Sequence, residues 1–267
     1  MRPRRHDAFA KICQLAGRAI GRYRMIADGD RILVGISGGK DSLMLMHVLT
    51  RLQRRAPIGF ELFPACVDMG FDAFGREPLQ AYFAARGWPL EMISFPGRQL
   101  LAEKMPGERP CSLCSRLRRG QLHAAADRLN CKVMALGQHL DDLCASFLVS
   151  LFRGNGLKTM GPHVAADSGR KRLIRPFCEV PVHLIREGAA ELALPAIGGC
   201  DYLPEITANG DRAKAERLLD ELEAHFPGVR HAMQQSMSVI REQHLLDPRF
   251  LALPPVASGT EADETCP

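Results

Sequence analysis

The chain has 267 residues, 46% of them hydrophobic and 24% charged, with a formal net charge of +5 and a pI near 8.8. That length and balance describe a globular protein with a sizeable core, and the mild basicity is compatible with an RNA partner without establishing one. Nine cysteines, an odd count in a chain too long to depend on disulfides, no apolar stretch behind "MRPRRHDAFA", and no run of about 18 apolar residues argue against a disulfide scaffold, a secretory leader and a membrane span. The expected setting is the reducing cytoplasm, with most thiols free.

Residues 6–24 place Phe9, Ile12, Cys13, Ala16, Ala19, Ile20 and Tyr23 at helical spacing, which predicts an amphipathic helix. "RILVGI" (31–36) reads as a buried strand, followed by a helix over 41–54. "ELFPACVDM" (61–69) is a second strand, whose Pro64 suggests a sheet edge or the strand's end. A helix over 76–87, a short strand "PLEMIS" (89–94) and a Gly/Pro-rich loop over 96–110 come next. A helix over 113–129 leads to a fourth strand, "KVMALG" (132–137), and a further helix runs from near Asp141 to Phe152. "RLIRPFCEVP" (172–181) holds a short strand; helices follow at 182–192, 211–224 and 229–243, and the final stretch reads as disordered.

Apolar strands alternating with helices specify an α/β fold with a parallel sheet covered on both faces. The expected organisation is an N-terminal helix over 1–28, a nucleotide-binding domain over 29–195, a C-terminal helical segment over 196–250 and a tail over 251–267. Ligands of such sheets bind beyond the carboxyl ends of the strands. The polar clusters 37–42, 68–72 and 137–142 should therefore meet along one rim.

"SGGKDS" (37–42) sits between a strand and a helix. Glycines let a backbone approach a phosphate closely, and the helix start adds free N–H donors and positive dipole. Ser37 and Ser42 can donate hydroxyls, Lys40 a charge; the plainer alternative is a tight turn capped by Ser37 or Asp41. The Walker pattern fails, because Val34 stands five before Gly39 and Asp41 follows Lys40; the dinucleotide fingerprint fails because Ser37 stands two after Gly35. In "PCSLCSRLRRG" (110–120), Cys111 and Cys114 at a loop-to-helix junction suit zinc, an iron–sulfur cluster or a redox dithiol. In "GQHLDD" (137–142), His139, Asp141 and Asp142 could place a magnesium ion or the reacting base, or simply cap a helix. Cys13, Cys66, Cys131, Cys144 and Cys178 fall in apolar patterns and read as core residues.

All six positions of "SGGKDS" match the pyrophosphate-binding loop of the PP-loop ATP pyrophosphatases. With the CxxC pair behind it, the chain resembles the tRNA 2-thiocytidine biosynthesis (TtcA) family. The likeness continues through "GRAIGRYRMIADGDRILVGISGGKDS", "ALGQHLDDL", "IRPF", "FPGVR" and "HLLDPRF", over roughly residues 10–250. It implies a three-layer PP-loop fold, like that of adenine nucleotide α-hydrolases, with extra terminal helices. It also implies ATP bound by Ser37, Gly38, Gly39, Lys40, Asp41 and Ser42, with Asp68 and His139 near the nucleotide, and catalytic roles for Lys40, Asp41 and Asp141. Magnesium would accompany the ATP. Cys111, Cys114 and a third thiol would hold a [4Fe–4S] cluster with one iron open to a sulfur donor. In this chain the third is Cys200, in "LPAIGGCDYLP", displaced by one glycine from the family pattern and without that segment's usual second cysteine. Two further departures are Gln138 for a histidine and Ala145 for a glutamate.

The activity so implied is ATP-dependent formation of 2-thiocytidine in a tRNA anticodon loop, at cytidine 32. The base O2 would be adenylated and replaced by sulfur from free sulfide or a cysteine desulfurase, and the family suggests a homodimer. The alternatives are a uridine thiolase, an ATP-independent desulfidase, or a degenerate member that binds RNA or a cluster without turnover. Arg116, Arg118, Arg119 and Lys158 are the candidate RNA contacts, and basic runs at 170–172 and 212–217 flank them. For each run the bland alternative is a solvated face.

Overall fold

The structure, a computed structural model, describes residues 8–104, 111–166, 169, 171–195, 197, 199, 200 and 210–251. The tail beyond residue 251, Cys266 and the stretch 201–209 behind Cys200 lie outside the described residues.

Helix α1 (Ala8–Arg22) buries Ile12, Cys13, Ala16 and Ala19, a stripe at three- and four-residue intervals. Then come β1 (Asp30–Ile36), α2 (Lys40–Gln53), β2 (Phe60–Asp68), α3 (Arg76–Ala84) and β3 (Glu91–Ser94). They are followed by α4 (Gly97–Lys104), α5 (Cys111–Arg128), β4 (Val133–Ala135) and α6 (Leu140–Phe152). The strands β5 (His163–Ala165) and β6 (Arg172–Ile174) precede α7 (Val182–Glu191), α8 (Asp211–His225) and α9 (Val229–Ser238). The sheet order is β3-β2-β1-β4-β6-β5, parallel throughout except for β5, which pairs antiparallel to β6 at the edge.

The period of two along β1 divides the core. Ile32, Val34 and Ile36 join the cluster under α1, α2 and α7, while Leu33 faces the cluster under α4 and α5, with Leu101, Leu122 and Ala125. Each such buried aliphatic side chain contributes roughly 1.5–3 kcal/mol. Helices α8 and α9 pack outside the sheet, against α6, through Ala215 and Leu219 on Leu140, Cys144, Ala145 and Leu148.

Three expectations are corrected. Pro64 does not mark a sheet edge or a strand end: β2 lies between β1 and β3. Pro64 stands opposite Val34, but β3 begins only opposite Ala65, so on that side no strand yet calls for the missing N–H. The loop expected over 96–110 contains helix α4, anchored by the burial of Leu101. The last helix stops at Ser238 rather than 243, and Val239 is extended.

Candidate active site at the switch point of the sheet

From β1 the chain winds outward through β2 and β3, then crosses to β4 on the other side of β1. The crevice between the carboxyl ends of β1 and β4 is therefore the topological switch point, the usual ligand position in such sheets. The turns 37–42 and 137–142 flank it.

The first turn is built for an anion. Gly38 adopts φ +83°, which suits glycine alone, and Gly39 is the N-cap of α2 with no side-chain cap hydrogen bond. Neither Ser37 nor Asp41 caps the helix, so its first N–H groups face the crevice without a side-chain acceptor. The serines brace the turn instead. Ser37 N–H donates to Ser42 Oγ at 3.1 Å, Gly39 N–H to Ser37 Oγ at 3.3 Å, and Ser42 Oγ–H to the Gly39 carbonyl at 2.9 Å. Lys40 Nζ donates to Asp41 Oδ2 at 3.1 Å and stands equally near Oδ1. No donor among the described residues is aligned on Asp41 Oδ1, a buried atom. The Lys40 ammonium already lies beside it, and a carboxylate at the mouth of the turn is an oxygen donor of the type magnesium takes, so the donor set fits magnesium.

The second turn closes on the first. A Cβ at Gly137 would lie 3.0 Å from the Asp41 carbonyl oxygen, so any side chain there would force the facing backbone to give by a few tenths of an ångström. His139 caps α6: its Nδ1 accepts from Asp142 N–H at 3.3 Å, while Asp142 Oδ2 accepts from His139 N–H at 2.9 Å. Burial holds the His139 imidazole below the usual histidine range, against the opposing pull of Asp41 and Asp141. Asp141 accepts from Val182 N–H at 2.8 Å and from Arg230 Nε at 2.6 Å. Asp142 pairs with Arg212. Asp68, at the end of β2, accepts from Gly70 N–H at 2.9 Å and Arg76 Nη1 at 3.2 Å, the geometry of the turn-capping alternative.

Cys111 and Cys114 lie in the first turn of α5, three residues apart and hence on one face. Cys114 and Cys200 pack against one apolar cluster that includes Phe71 and Leu122. A Cβ at Gly199 would lie 3.3 Å from Ala73, which ties this segment to the turn after β2. Burial raises the Cys114 thiol above its ordinary value; Arg118 opposes this, and the neighbouring Cys200 and Cys111 add to it. Arg118 Nε is a buried donor without an acceptor among the described residues. Among those residues no three His, Cys, Asp or Glu side chains stand close enough to hold a single ion. A polynuclear cluster offers a separate iron to each thiolate, so its ligands need not converge on one point. Three neighbouring thiols beside a guanidinium whose buried Nε–H has no acceptor among the described residues fit such an anionic group. The other five cysteines among the described residues are buried; burial pushes Cys66, Cys144 and Cys178 up to about 12 and Cys13 and Cys131 up to about 11, as expected of inert core thiols.

The basic residues divide. Arg116, Arg119 and Lys158 are exposed, whereas Arg118 is half-buried beside Cys114 and Cys66. Lys171 is buried on Asp127 at 2.6 Å, and Arg172 holds Asp30 at 2.7 Å, so these two brace the fold rather than offering a free basic face.

The PP-loop domain model matches residues 11–193. Relatives named tRNA-cytidine(32) 2-sulfurtransferase match nearly end to end. The one from Syntrophotalea carbinolica is 37% identical over 90% of this chain and 92% of its own. That of Geobacter sulfurreducens is 36% identical over 90% and 93%, and that of Sorangium cellulosum 39% identical over 89% and 83%. This chain belongs to the tRNA-cytidine(32) 2-sulfurtransferase family of PP-loop proteins. The U34-tRNA thiolase NcsA of Methanococcus maripaludis, solved with its [4Fe–4S] cluster, shares the fold at a TM-score of 0.73. It is 19% identical, over 91% of this chain and 84% of its own.

Two departures from this family's pattern now have surroundings. Gln138 accepts from Arg175 Nε at 2.8 Å, and Arg175 also donates to the Gly161 carbonyl at 2.5 Å. Burial and the nearby Arg119 lower Arg175 to about 10, and the neutral amide oxygen gives its guanidinium a partner without adding charge. Ala145 is fully buried against α8, in an apolar cluster where a carboxylate would be unsatisfied. Arg230, whose side chain joins Asp141, Asp220 and Glu223, was not legible as a rim residue. Its only signal was its place in the stretch "FPGVR".

Proposed function

We propose that this protein is an ATP-dependent tRNA-cytidine 2-sulfurtransferase that converts cytidine 32 of the anticodon loop to 2-thiocytidine. The observation that carries this is the near full-length likeness to that family, joined to an uncapped phosphate turn at the switch point. ATP binds with its phosphates at residues 37–42. The cytidine O2 attacks the α-phosphorus, pyrophosphate departs, and the base carries an adenylate. Sulfide-level sulfur then forms a bond to C2, and the C2–O bond breaks to release AMP; with free sulfide no oxidant or reductant is consumed, whereas persulfide sulfur from a desulfurase first takes two electrons from a pair of thiols, which leave as a disulfide. Adenylation is required because oxide leaves poorly and AMP leaves well.

Lys40 and the first N–H groups of α2 stabilise the charge gathering on pyrophosphate. Asp41 offers magnesium a carboxylate in exchange for its contact with Lys40. His139, kept neutral, faces the same crevice without adding a competing positive charge. Cys111, Cys114 and Cys200 hold the cluster, with Arg118 facing its negative charge. A [4Fe–4S] cluster there supplies the sulfur-transfer chemistry. The sulfur comes from free sulfide or a cysteine desulfurase, the protein acts in the cytoplasm, and it assembles as a homodimer. No described helix is long and apolar enough to cross a membrane.

The test is nucleoside mass spectrometry of tRNA incubated with reconstituted protein, ATP, magnesium and sulfide. The expected product is 2-thiocytidine at position 32, with one AMP per sulfur. Product formed without ATP, or 2-thiouridine in its place, would overturn the reading.

A further inference from the structure

Away from the rim, the groove between the start of α1 and the second half of α2 has a different character. Phe9, His47, Arg51, Arg54, Arg55 and Trp88 line a cleft of about 350 Å³. Arg51 and Arg55 also border an adjoining cleft of about 520 Å³ that includes Lys11. We infer that this groove is a docking site for the phosphate backbone of the tRNA, separate from the place of reaction. The inference rests on the tRNA reading above.

Arg51, Arg54 and Arg55 recur at three- and four-residue spacing and so share one face of α2 and its C-terminal turn. No carboxylate among the described residues forms an ion pair with any of them, whereas Arg153, Arg172, Arg212 and Arg230 are all paired. Glu191, the last residue of α7, reaches the start of α1, where its carboxylate accepts from the Phe9 N–H at 3.1 Å. The aromatic members are held in place. The Arg51 guanidinium sits 5.3 Å over the Phe9 ring, and Trp88 meets His47 edge-on at 4.8 Å and Phe83 at 5.6 Å while remaining half-exposed. His47 Nε2 bonds the Tyr82 hydroxyl at 2.8 Å. A row of unpaired guanidinium groups beside a partly exposed indole is the chemistry of phosphate contact with stacking.

Charge decides the occupant. The seven residues before α1 add Arg2, Arg4 and Arg5, so the chain's own leading segment repeats the sign of the groove. A second copy, also carrying +5 overall, is likewise poorly complementary. Polyanionic RNA is complementary. Along α2, at about 1.5 Å per residue, His47 is roughly 10 Å and Arg54 roughly 20 Å from Lys40. A base delivered to the switch point therefore leaves flanking backbone within reach of the groove.

The test measures tRNA binding by fluorescence anisotropy across a salt series, without ATP. It compares wild type with R51Q/R54Q/R55Q and with R54Q/R55Q, whose two sites are exposed and safe for the fold. Glutamine keeps much of the aliphatic stem. For the triple variant, affinity should fall about tenfold or more near 0.1 M salt, and the slope of log K against log salt should drop by about 2 to 3. The double variant should lose about 1 to 2 of slope, with ATP affinity unchanged in both. An unchanged slope in both variants overturns the inference. So does intact tRNA binding accompanied by a change in sedimentation, which would make the groove a contact between copies. If wild type thiolates cytidine 32 and the slopes do not move, only this inference falls. If wild type forms no 2-thiocytidine and the slopes do drop, only the proposed activity falls.

Discussion

The two turns that frame the crevice meet through backbone, which makes Gly137→Ala a sharp probe. The added methyl would stand 3.0 Å from the Asp41 carbonyl oxygen, 3.1 Å from its carbon and 3.2 Å from the Ser42 nitrogen. None of these is the end of a flexible side chain. All belong to the first turn of α2, pinned below by the buried Leu43, Met44 and Leu45. Strain can be relieved only by moving the phosphate turn away from β4. Overpacking of this kind costs ~1–3 kcal/mol. That corresponds to about 5- to 150-fold in any equilibrium that needs the turn in place. Isothermal titration should show ATP affinity falling within that range, and a melting scan should show a modest loss of stability. Iron content should be unchanged, because the cysteines stand on α5 and behind the turn after β2. ATP affinity within twofold of wild type would refute the reasoning, as would lost iron with normal ATP binding.

Two other expectations concern thiols and pH. Cys111→Ala, Cys114→Ala and Cys200→Ala should each lower iron and acid-labile sulfide and weaken the visible charge-transfer absorbance. Cys66→Ala, which removes a buried thiol raised to about 12, should keep all three at some cost in stability. His47 is lowered by burial, then by Arg86, to about 4 from 6.5. The unfolded chain therefore takes up this proton first as pH falls. The stability that depends on neutral His47 is complete above pH 6.5 and is lost between 6.5 and about 4. Allowing for partial exposure, the loss is about 1–2 kcal/mol. Denaturant melts of His47→Gln should be flatter than wild type across that window; parallel curves would contradict the assignment.

The parts of the fold that sequence made legible are those governed by local rules. The strand at 31–36, the loop at 37–42 and the helix behind it follow from hydrophobic period and glycine placement, and the structure returns them within a residue or two. What escaped depends on partners distant along the chain. Strand β5 is only three residues long and exists because β6 offers it an edge, so no periodicity could announce it. Helix α4 hides in a Gly/Pro-rich stretch and is fixed by a single buried leucine. At the candidate site, the glycines and Lys40 between strand and helix, and the cysteine pair at a helix start, could be placed because their surroundings are set by local spacing. Asp41 and Asp141 looked alike in sequence, since nothing local tells which carboxylate an arginine some 90 residues away will neutralise.

That difference governs how the rim can handle a cation. Asp141 is engaged by Arg230 and the Val182 N–H, with only 9% of its side chain exposed. Asp142 is held by Arg212 and by the N–H of His139. Both guanidinium groups come from α8 and α9, so the helices outside the sheet neutralise the second turn and fix its carboxylates in place. A metal drawn to Asp141 would have to displace a guanidinium already bound at 2.6 Å and leave Arg230 short of a partner in a side chain only 15% exposed. At Asp41 the exchange is easier, because its ion-pair partner among the described residues is the Lys40 ammonium at 3.1 Å, on a flexible stem whose side chain is 39% exposed. Electrostatics thus distinguishes the two turns: the first keeps uncapped helix N–H groups and a carboxylate held only by a flexible lysine among the described residues, and the second, locked by arginines from the C-terminal helices, holds the wall of the crevice still.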